Sequence, residues 1–319
     1  MTAKHNAPQI AIIVPCYNEE EVLPEAAKKL SGKLNKLIGN KIIGEKSVIL
    51  FVDDGSSDNT WGLIEKFHAE DPLHFCGIKL SVNRGHQNAL LCGLLAADEH
   101  FDAAISLDAD LQDDIDVIDK MLEKYRAGYE IVYGVRENRD SDGFFKRLTA
   151  KNFYRFMRFL GADIVYNHAD FRLMGRNALN ALAGYGEVNL FLRGIIPLLG
   201  FKTGIEYYTR AGRLAGKSKY PPRKMLKFAF EGITSFSVKP IRFITLLGIL
   251  IFSVSIAMII YFFVVYFLGY TTSGWATIVC SIWGIGGLLL FSVGIVGEYI
   301  GKIYLEVKHR PRFHIEKQL

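Results

Sequence analysis

Four aspartates follow an apolar run in the stretch AAISLDADLQDD, residues 103 to 114. Asp108 and Asp110 stand two apart at the expected end of a strand, where an extended backbone points both carboxylates the same way. Gln112 offers a neutral oxygen two residues further on. Oxygen ligands of this kind suit Mg²⁺ or Mn²⁺, which proteins often share with substrate phosphates. The spacing therefore predicts a divalent cation site, with a solvated acidic loop as the alternative.

The two aspartates that end this stretch have a different expected role. Asp113 and Asp114 open the helical pattern DDIDVIDKMLEKY. Carboxylates are favoured in the first turn of a helix because they interact with the helix dipole. We therefore expect Asp113 and Asp114 to begin a helix.

Three more polar clusters directly follow apolar runs earlier in the chain. They are PCYNEE at 15 to 20, DDGSSDNT at 53 to 60 and NRGHQ at 83 to 87. Between residues 9 and 135 such runs alternate with helical stretches, which predicts an α/β fold with a Rossmann-like, mainly parallel sheet covered on both faces. Ligands of these sheets bind beyond the carboxyl ends of the strands. We therefore expect all four clusters to line one crevice of nucleotide size.

The C-terminal third of the chain contains an uncharged apolar block. No Asp, Glu, Lys, Arg or His occurs from residue 243 to 297, and the turn-like GYTTSGW interrupts the block at 269 to 275. Each half is long enough to cross a bilayer, so we predict transmembrane helices at 241 to 268 and 275 to 297. Lysines and arginines flank the outer ends of this hairpin, which by the positive-inside rule places both termini in the cytoplasm.

The other domain boundaries follow from this hairpin. Residues 1 to 222 are expected to form a cytoplasmic domain, and residues 298 to 319 a cytoplasmic tail. Basic and aromatic residues alternate at 223 to 240, which favours a helix in the membrane interface, with an ordinary packed helix as the alternative. Much of the net charge of +5 lies beside the membrane segments, so it does not indicate nucleic-acid binding.

The four clusters, taken in order, resemble the nucleotide-binding half of family 2 glycosyltransferases with the GT-A fold. They read VPCYNEE, VDDGSSDNT, NRG and DADLQD, at residues 14–20, 52–60, 83–85 and 108–113. Motifs further along resemble the polyprenyl-phosphate glycosyltransferases, a group that includes bactoprenol glucosyltransferases and dolichol-phosphate mannose synthases. These motifs, between residues 169 and 313, are ADFRLMGRNALNAL, NLFLRG, RAGRLAGKSKY, EGITSFS and GEYIGKIYLEVKHRPRF.

The resemblance implies roles for the residues at matching positions. It implies nucleoside contacts by Pro15, Tyr17, Glu19, Asp53, Asp54 and Asp108. It implies metal coordination by Asp108, Asp110 and Gln112. Asp170 and Asp108 would be catalytic, with Asp170 as a base or an orienting group, although a buried pair with Arg172 would also explain Asp170. His86, which opens a helix, is expected to make a polar contact and to have no catalytic role.

A phosphate acceptor and a diphosphate leaving group both need cationic partners. Guanidinium groups bind phosphate through two hydrogen bonds. The cationic candidates for this role are Arg136, Arg193, Arg210, Arg213 and Lys219, and the resemblance adds Ser218, in RLAGKSKY, to the acceptor-binding residues. A phosphate monoester has a second pKa of about 6, so such an acceptor is largely ionised at neutral pH and has little need of a base.

The activity implied is transfer of a hexose, with glucose favoured, from a UDP-sugar to undecaprenyl phosphate, with Mg²⁺ or Mn²⁺ and inversion at the anomeric carbon. The chain would act at the cytoplasmic face of the bacterial inner membrane, with a homo-oligomer as one option. UDP-N-acetylglucosamine and GDP-mannose are alternative donors. A processive polysaccharide synthase is another alternative, but the chain lacks the Q-x-x-R-W motif of that class. A transporter or a scaffold would have no use for the metal and nucleotide motifs.

Overall fold

An eight-stranded sheet forms the centre of the part of the chain that the computed structural model describes. The described residues are 7–98, 100–136, 168–187, 191–209 and 274–319, with some of the residues between 241 and 268. Across the sheet the strands follow the order β7-β5-β6-β4-β1-β2-β3-β8. Their bounds are β1 Ile10–Cys16, β2 Val48–Asp53, β3 Phe75–Leu80, β4 Ala103–Ser106, β5 Ile131–Arg136, β6 His168–Gly175, β7 Thr203–Tyr208 and β8 Ile315–Gln318.

The direction of each strand decides which residues share an edge of the sheet. β1 pairs in parallel with β2 and β4, β2 with β3, and β5 with β7. β6 is antiparallel to β4 and β5, and β8 is antiparallel to β3. The prediction of a mainly parallel α/β sheet is therefore confirmed. The carboxyl ends of β1 to β5 and β7 lie at one edge with the amino end of β6, and we call this the site edge.

Helices cover both faces of the centre of the sheet, and every residue of β1 is buried as a result. Ile12 on one face joins an apolar cluster with Leu30 and Leu34 of the first helix. Gly93 lies against Ile13 on the other face, so closely that an added Cβ would overlap the isoleucine side chain. The described helices are α1 Leu23–Gly39, α2 Thr60–Glu70, α3 His86–Asp98, α4 Val117–Arg126, α5 Arg176–Ala183, α6 Leu192–Leu198 and α7 Trp275–Val307.

The C-terminal residues belong to two compact units. One unit contains the sheet together with residues 310–319, and the other contains α7. β8 lies antiparallel to β3, and the Leu319 amide donates to the Gly77 carbonyl at 2.8 Å. The stretch 298–319, predicted as a tail, thus includes the end of α7 and a strand of the sheet.

One segment of the described residues, Gly284–Val307 in α7, is long and apolar enough to cross a membrane. It overlaps the predicted second span at 275–297, and its side chains are not buried inside the protein. The predicted first span, at 241–268, is described only in part, and its described residues up to 267 are helical. The segment 223–240 lies outside the described residues. The two-helix hairpin and the interfacial helix therefore stay predictions.

Candidate active site

The loops that follow β1 and β2 are joined side by side at the site edge. The Asn18 amide donates to Ser56 Oγ at 2.9 Å, and Asn18 Oδ1 accepts from the Ser57 amide at 2.9 Å. Asn18 adopts a left-handed conformation, φ 52°, that asparagine tolerates, and in this conformation its backbone amide and its side chain both bond to the loop after β2. The Glu19 amide donates to Thr60 Oγ1 at 3.0 Å, at the start of α2. These bonds give the first two polar clusters one fixed arrangement.

The paired aspartates after β2 are both buried, but they make different contacts. Asp54 accepts the backbone amides of Arg84 at 2.7 Å and Gly85 at 2.8 Å, so both of its oxygens hold the loop after β3. Asp53 accepts the Ser56 amide with Oδ1 at 3.1 Å, while its Oδ2 is buried without a hydrogen-bond partner among the described residues. Burial raises the pKa of both carboxyl groups, although these hydrogen bonds oppose the shift. Asp53 therefore retains acceptor capacity, whereas Asp54 acts mainly on the loop.

The other predicted nucleoside contacts differ in their exposure. Pro15 is buried within β1, and Glu19 is half-buried. Tyr17 directly follows β1 and is 44 % exposed. An aromatic ring in this position can stack on any base, since every base has a π-face.

The loop after β4 carries the predicted metal ligands. Asp108 is 38 % exposed at its side chain, and Leu111 turns the loop with a positive φ of 42°. Gln112 is buried, and its Nε2 donates to Asp110 Oδ2 at 2.5 Å. The amide of Gln112 thus orients Asp110. Among the described residues no group of three or more His, Cys, Asp or Glu side chains is arranged to hold a metal ion.

The electrostatics of Asp108 nevertheless fit a cation. Burial raises the pKa of Asp108, and His86 opposes this shift. Neighbouring carboxylates raise the pKa further, and these are Asp170, Asp113 and Asp110. Repulsion of this kind is relieved when a divalent cation binds between carboxylates and substrate phosphates. Asp108 and Asp110 therefore suit a hard cation by their chemistry.

Asp170, in β6, is paired with two arginines and a histidine. Arg172 Nη2 lies 2.5 Å from Oδ1, and Arg193 donates from Nε to Oδ1 at 3.2 Å and from Nη2 to Oδ2 at 3.0 Å. His86 Nε2 lies 3.3 Å from Oδ2. Burial opposes ionisation of Asp170, but these partners outweigh it and hold the pKa well below its ordinary value. A carboxylate held in this way is a weak proton acceptor and is suited to orienting cations.

His86 and Gln87, at the start of α3, connect parts of the site that the sequence analysis did not join. Burial alone would lower the pKa of His86, but the hydrogen bond with Asp170 and the charge of Asp108 outweigh it and raise the pKa. His86 Nε2 is 3.7 Å from Asp108 Oδ1, so the ring lies between the two carboxylates. Gln87 Oε1 accepts the Leu192 amide at 3.0 Å, at the beginning of α6. Both residues belong to the cluster NRGHQ, which the sequence placed at the carboxyl end of a strand, and this position was the indication that they belong to the site.

Asp113 corrects a prediction. It does not begin a helix, because α4 begins at Val117, and the Asp113 carboxylate is buried. Tyr208 donates its hydroxyl to Asp113 Oδ1 at 2.5 Å, and Arg136 Nη2 donates to the same oxygen at 3.2 Å. Asp114 is exposed and accepts the Asp116 amide at 2.9 Å. Asp114 does not begin the helix either, because Asp116 is the residue directly before α4, so the prediction is wrong for both aspartates.

The predicted acceptor-binding residues are described only in part. Arg136 and Arg193 both lie at the site edge, and each is paired with a carboxylate. The remaining predicted members lie outside the described residues, and these are Arg210, Arg213, Ser218 and Lys219. The described edge thus combines acidic loops with guanidinium groups, and guanidinium groups can bind phosphate through two hydrogen bonds.

The family of the chain follows from its sequence as a whole. Residues 11–183 match the model of Glycosyl transferase family 2. The chain belongs to this family, and it is a glycosyltransferase. The matched range includes all four polar clusters and Asp170, so the described edge lies largely in the family domain.

Relatives match the chain over nearly its full length. It is 53 % identical over 316 residues to the uncharacterized glycosyltransferase YkoT of Bacillus subtilis (strain 168), covering 99 % of this chain and 94 % of that one. It is 38 % identical over 313 residues to the SfII prophage-derived bactoprenol glucosyl transferase of Shigella flexneri, covering 97 % and 98 %. A solved structure, mannosyltransferase PcManGT from Pyrobaculum calidifontis with GDP-Man and Mn²⁺, is similar at 16 % identity and a TM-score of 0.46, covering 93 % and 85 %.

Proposed function

We propose that this glycosyltransferase moves a hexose, with glucose favoured, from a UDP-sugar to a polyprenyl phosphate in the membrane. The pairing of Asp170 carries the proposal, because a carboxylate held by Arg172, Arg193 and His86 is a poor base for activating a hydroxyl acceptor. A phosphate monoester needs little such activation at neutral pH. The full-length similarity to a bactoprenol glucosyl transferase supports the same acceptor class.

In the proposed reaction a phosphate oxygen of the lipid attacks the anomeric carbon of the sugar. The attack comes from the face opposite the diphosphate, so the configuration inverts as the bond from this carbon to the diphosphate breaks and the electron pair leaves with UDP. Asp170 holds Arg193 at the site edge, where its guanidinium faces developing phosphate charge. Asp108 and Asp110 would hold Mg²⁺ or Mn²⁺, which offsets the charge of the departing diphosphate when bound.

The donor end of the site is assigned to the loops after β1 and β2. Tyr17 would stack on the base, and the unpartnered Oδ2 of Asp53 would accept a hydrogen bond from base or ribose. These contacts involve the base and ribose and not the sugar that is transferred, so UDP-N-acetylglucosamine and GDP-mannose are the donors to compare with UDP-glucose. The apolar segment Gly284–Val307 supports a membrane location, and the second span at 241–268 is part of the proposal.

The test uses the full chain in lipid nanodiscs with Mn²⁺. Release of UDP or GDP is measured with each nucleotide sugar, with and without undecaprenyl phosphate, and the lipid product is identified by mass spectrometry. We expect release that depends on the lipid phosphate and a product heavier by one hexose. If none of the donors gave release, or if the lipid phosphate had no effect on release, the proposal would be contradicted.

A further inference from the structure

Asp113, Tyr208 and Arg136 form a connected group at the site edge. Arg136 ends β5 and Tyr208 ends β7, and the two residues are direct register partners in the parallel pair. Arg136 Nε donates to the Tyr208 hydroxyl at 3.2 Å, and that hydroxyl donates to Asp113 Oδ1 at 2.5 Å. Arg136 Nη2 closes the group with its own bond to Asp113 Oδ1 at 3.2 Å. One tyrosine hydroxyl thus accepts from the guanidinium and donates to the carboxylate.

The protonation states agree with this bonding. Burial raises the pKa of Tyr208, and the Asp113 charge raises it further, so the hydroxyl keeps its proton. Burial would lower the pKa of Arg136, but the Asp113 charge and the Tyr208 hydroxyl raise it. The group therefore contains a fixed cation and a neutral hydroxyl beside Asp113.

The group also connects two functional parts of the site edge. Asp113 directly follows Gln112, whose amide orients Asp110. The acidic loop therefore carries the proposed cation ligands near its beginning and binds Arg136 through Asp113 at its end. The Arg136 side chain is 27 % exposed, so solvent reaches part of it. An arginine on a long, flexible stem binds a phosphate more tightly when neighbouring groups already fix its direction.

We propose that Asp113 and Tyr208 are positioning residues that hold Arg136 for the phosphate of the acceptor lipid. The inference rests on the proposed function, because it takes the lipid phosphate as the ligand of Arg136. Asp113 and Tyr208 act through the guanidinium and do not touch the substrate. Their loss weakens acceptor binding and leaves the nucleoside contacts on the loops after β1 and β2 in place.

The test is Tyr208→Phe in the full chain, with Tyr207→Phe as the matched control. Tyr208→Phe removes only the hydroxyl, since its ring still packs edge-on against Phe171, with centroids 5.5 Å apart. Tyr207 is the adjacent residue of β7 and is 56 % exposed. We expect Tyr208→Phe to raise the KM for undecaprenyl phosphate about tenfold, the size of one lost hydrogen bond to a charged group. UDP binding, measured by calorimetry, should change less than about twofold, and Tyr207→Phe should leave both quantities unchanged.

A double-mutant cycle with Arg136→Lys checks that the two residues act together. If Tyr208 works through Arg136, adding Tyr208→Phe to Arg136→Lys should raise the KM much less than it does in the wild type. Fully additive effects, an unchanged KM, or an equal loss of UDP and acceptor binding would each overturn the positioning role. The wild-type protein is first shown to make the lipid product, and the variants are then compared with it. A wild type that makes no product contradicts the proposed function, whereas the outcomes above contradict the positioning role.

Discussion

Replacing Asp170 with asparagine should destabilise the folded sheet domain, because it leaves a buried guanidinium without its counter-charge. The Arg172 side chain is fully buried, with Nη2 2.5 Å from Asp170 Oδ1. Its Nε and Nη1 have no hydrogen-bond partner among the described residues. Removing one partner of a buried ion pair costs about 3–5 kcal/mol. Asparagine keeps one oxygen as an acceptor, so we expect the lower end, about 3 kcal/mol.

The double variant Asp170→Asn with Arg172→Met separates this charge imbalance from other effects. Methionine fills the stem of the arginine without a charge, so both members of the pair are removed and most of the lost stability should return. Thermal unfolding of the full chain should show a Tm lowered by about 6 °C or more in the single variant and largely restored in the double variant. Transfer activity should remain low in both, because Arg193 has lost its carboxylate partner in each.

The pH dependence gives an independent check on Asp170. Burial opposes its ionisation, but pairing with His86, Arg193 and Arg172 holds its pKa well below the ordinary value. A depressed pKa stabilises the fold above the unfolded-state value of about 4, and this stabilisation is lost as the pH falls through the folded-state pKa. The Tm gap between wild type and Asp170→Asn should therefore narrow below about pH 4. Equal Tm values at pH 7, or a double variant less stable than the single one, would refute the reasoning.

Three further predictions concern loops of the site edge. Asp110→Ala should slow UDP release by about a hundredfold or more, whereas the exposed Asp114→Ala should stay within about twofold, and equal tolerance would contradict the metal assignment. Gly55 and Gly85 both have a positive φ, but a Cβ added at Gly55 would lie 2.7 Å from the backbone nitrogen of Asn83, whereas one added at Gly85 would meet no atom. Thermal unfolding should therefore show a clearly lower Tm for Gly55→Ala than for Gly85→Ala. Gln87→Leu removes the acceptor for the first amide of α6 and should reduce kcat about tenfold, while Gln87→Glu keeps an oxygen there and should stay within about twofold in the same assay.

Much of the site edge could be predicted from the sequence because its determinants are local. An apolar run followed by a polar cluster marks the end of a strand, and parallel strands bring such ends to one edge. The loops at Asn18, Asp54 and Asp108 follow this rule. β1 shows no alternation of polar and apolar residues, because both of its faces are buried and the strand is apolar throughout.

The residues that sequence reasoning missed depend on contacts between distant parts of the chain. Tyr208 lies 95 residues from Asp113, and no local pattern relates the two. The helix prediction for Asp113 relied on the attraction between a carboxylate and the helix dipole. That attraction is weaker than the buried hydrogen bond from Arg136 that Asp113 accepts in the structure. Asp170 reaches the edge only because β6 is antiparallel, so that its beginning lies where the neighbouring strands end. Strand direction of this kind is set by tertiary packing.

The balance of charge along the site edge bears on where a cation would bind. Asp113 is paired with Arg136, and Asp170 is paired with two arginines. Asp110 has the neutral amide of Gln112, and Asp108 has the more distant ring of His86 at 3.7 Å. Of these four carboxylates, Asp108 and Asp110 therefore have the least compensated negative charge. An anionic diphosphate would be repelled there unless a divalent cation came with it, whereas the arginine-paired carboxylates need no such ion. This uneven pairing supports the proposals that Asp108 and Asp110 hold the cation and that Asp113 and Asp170 position arginines.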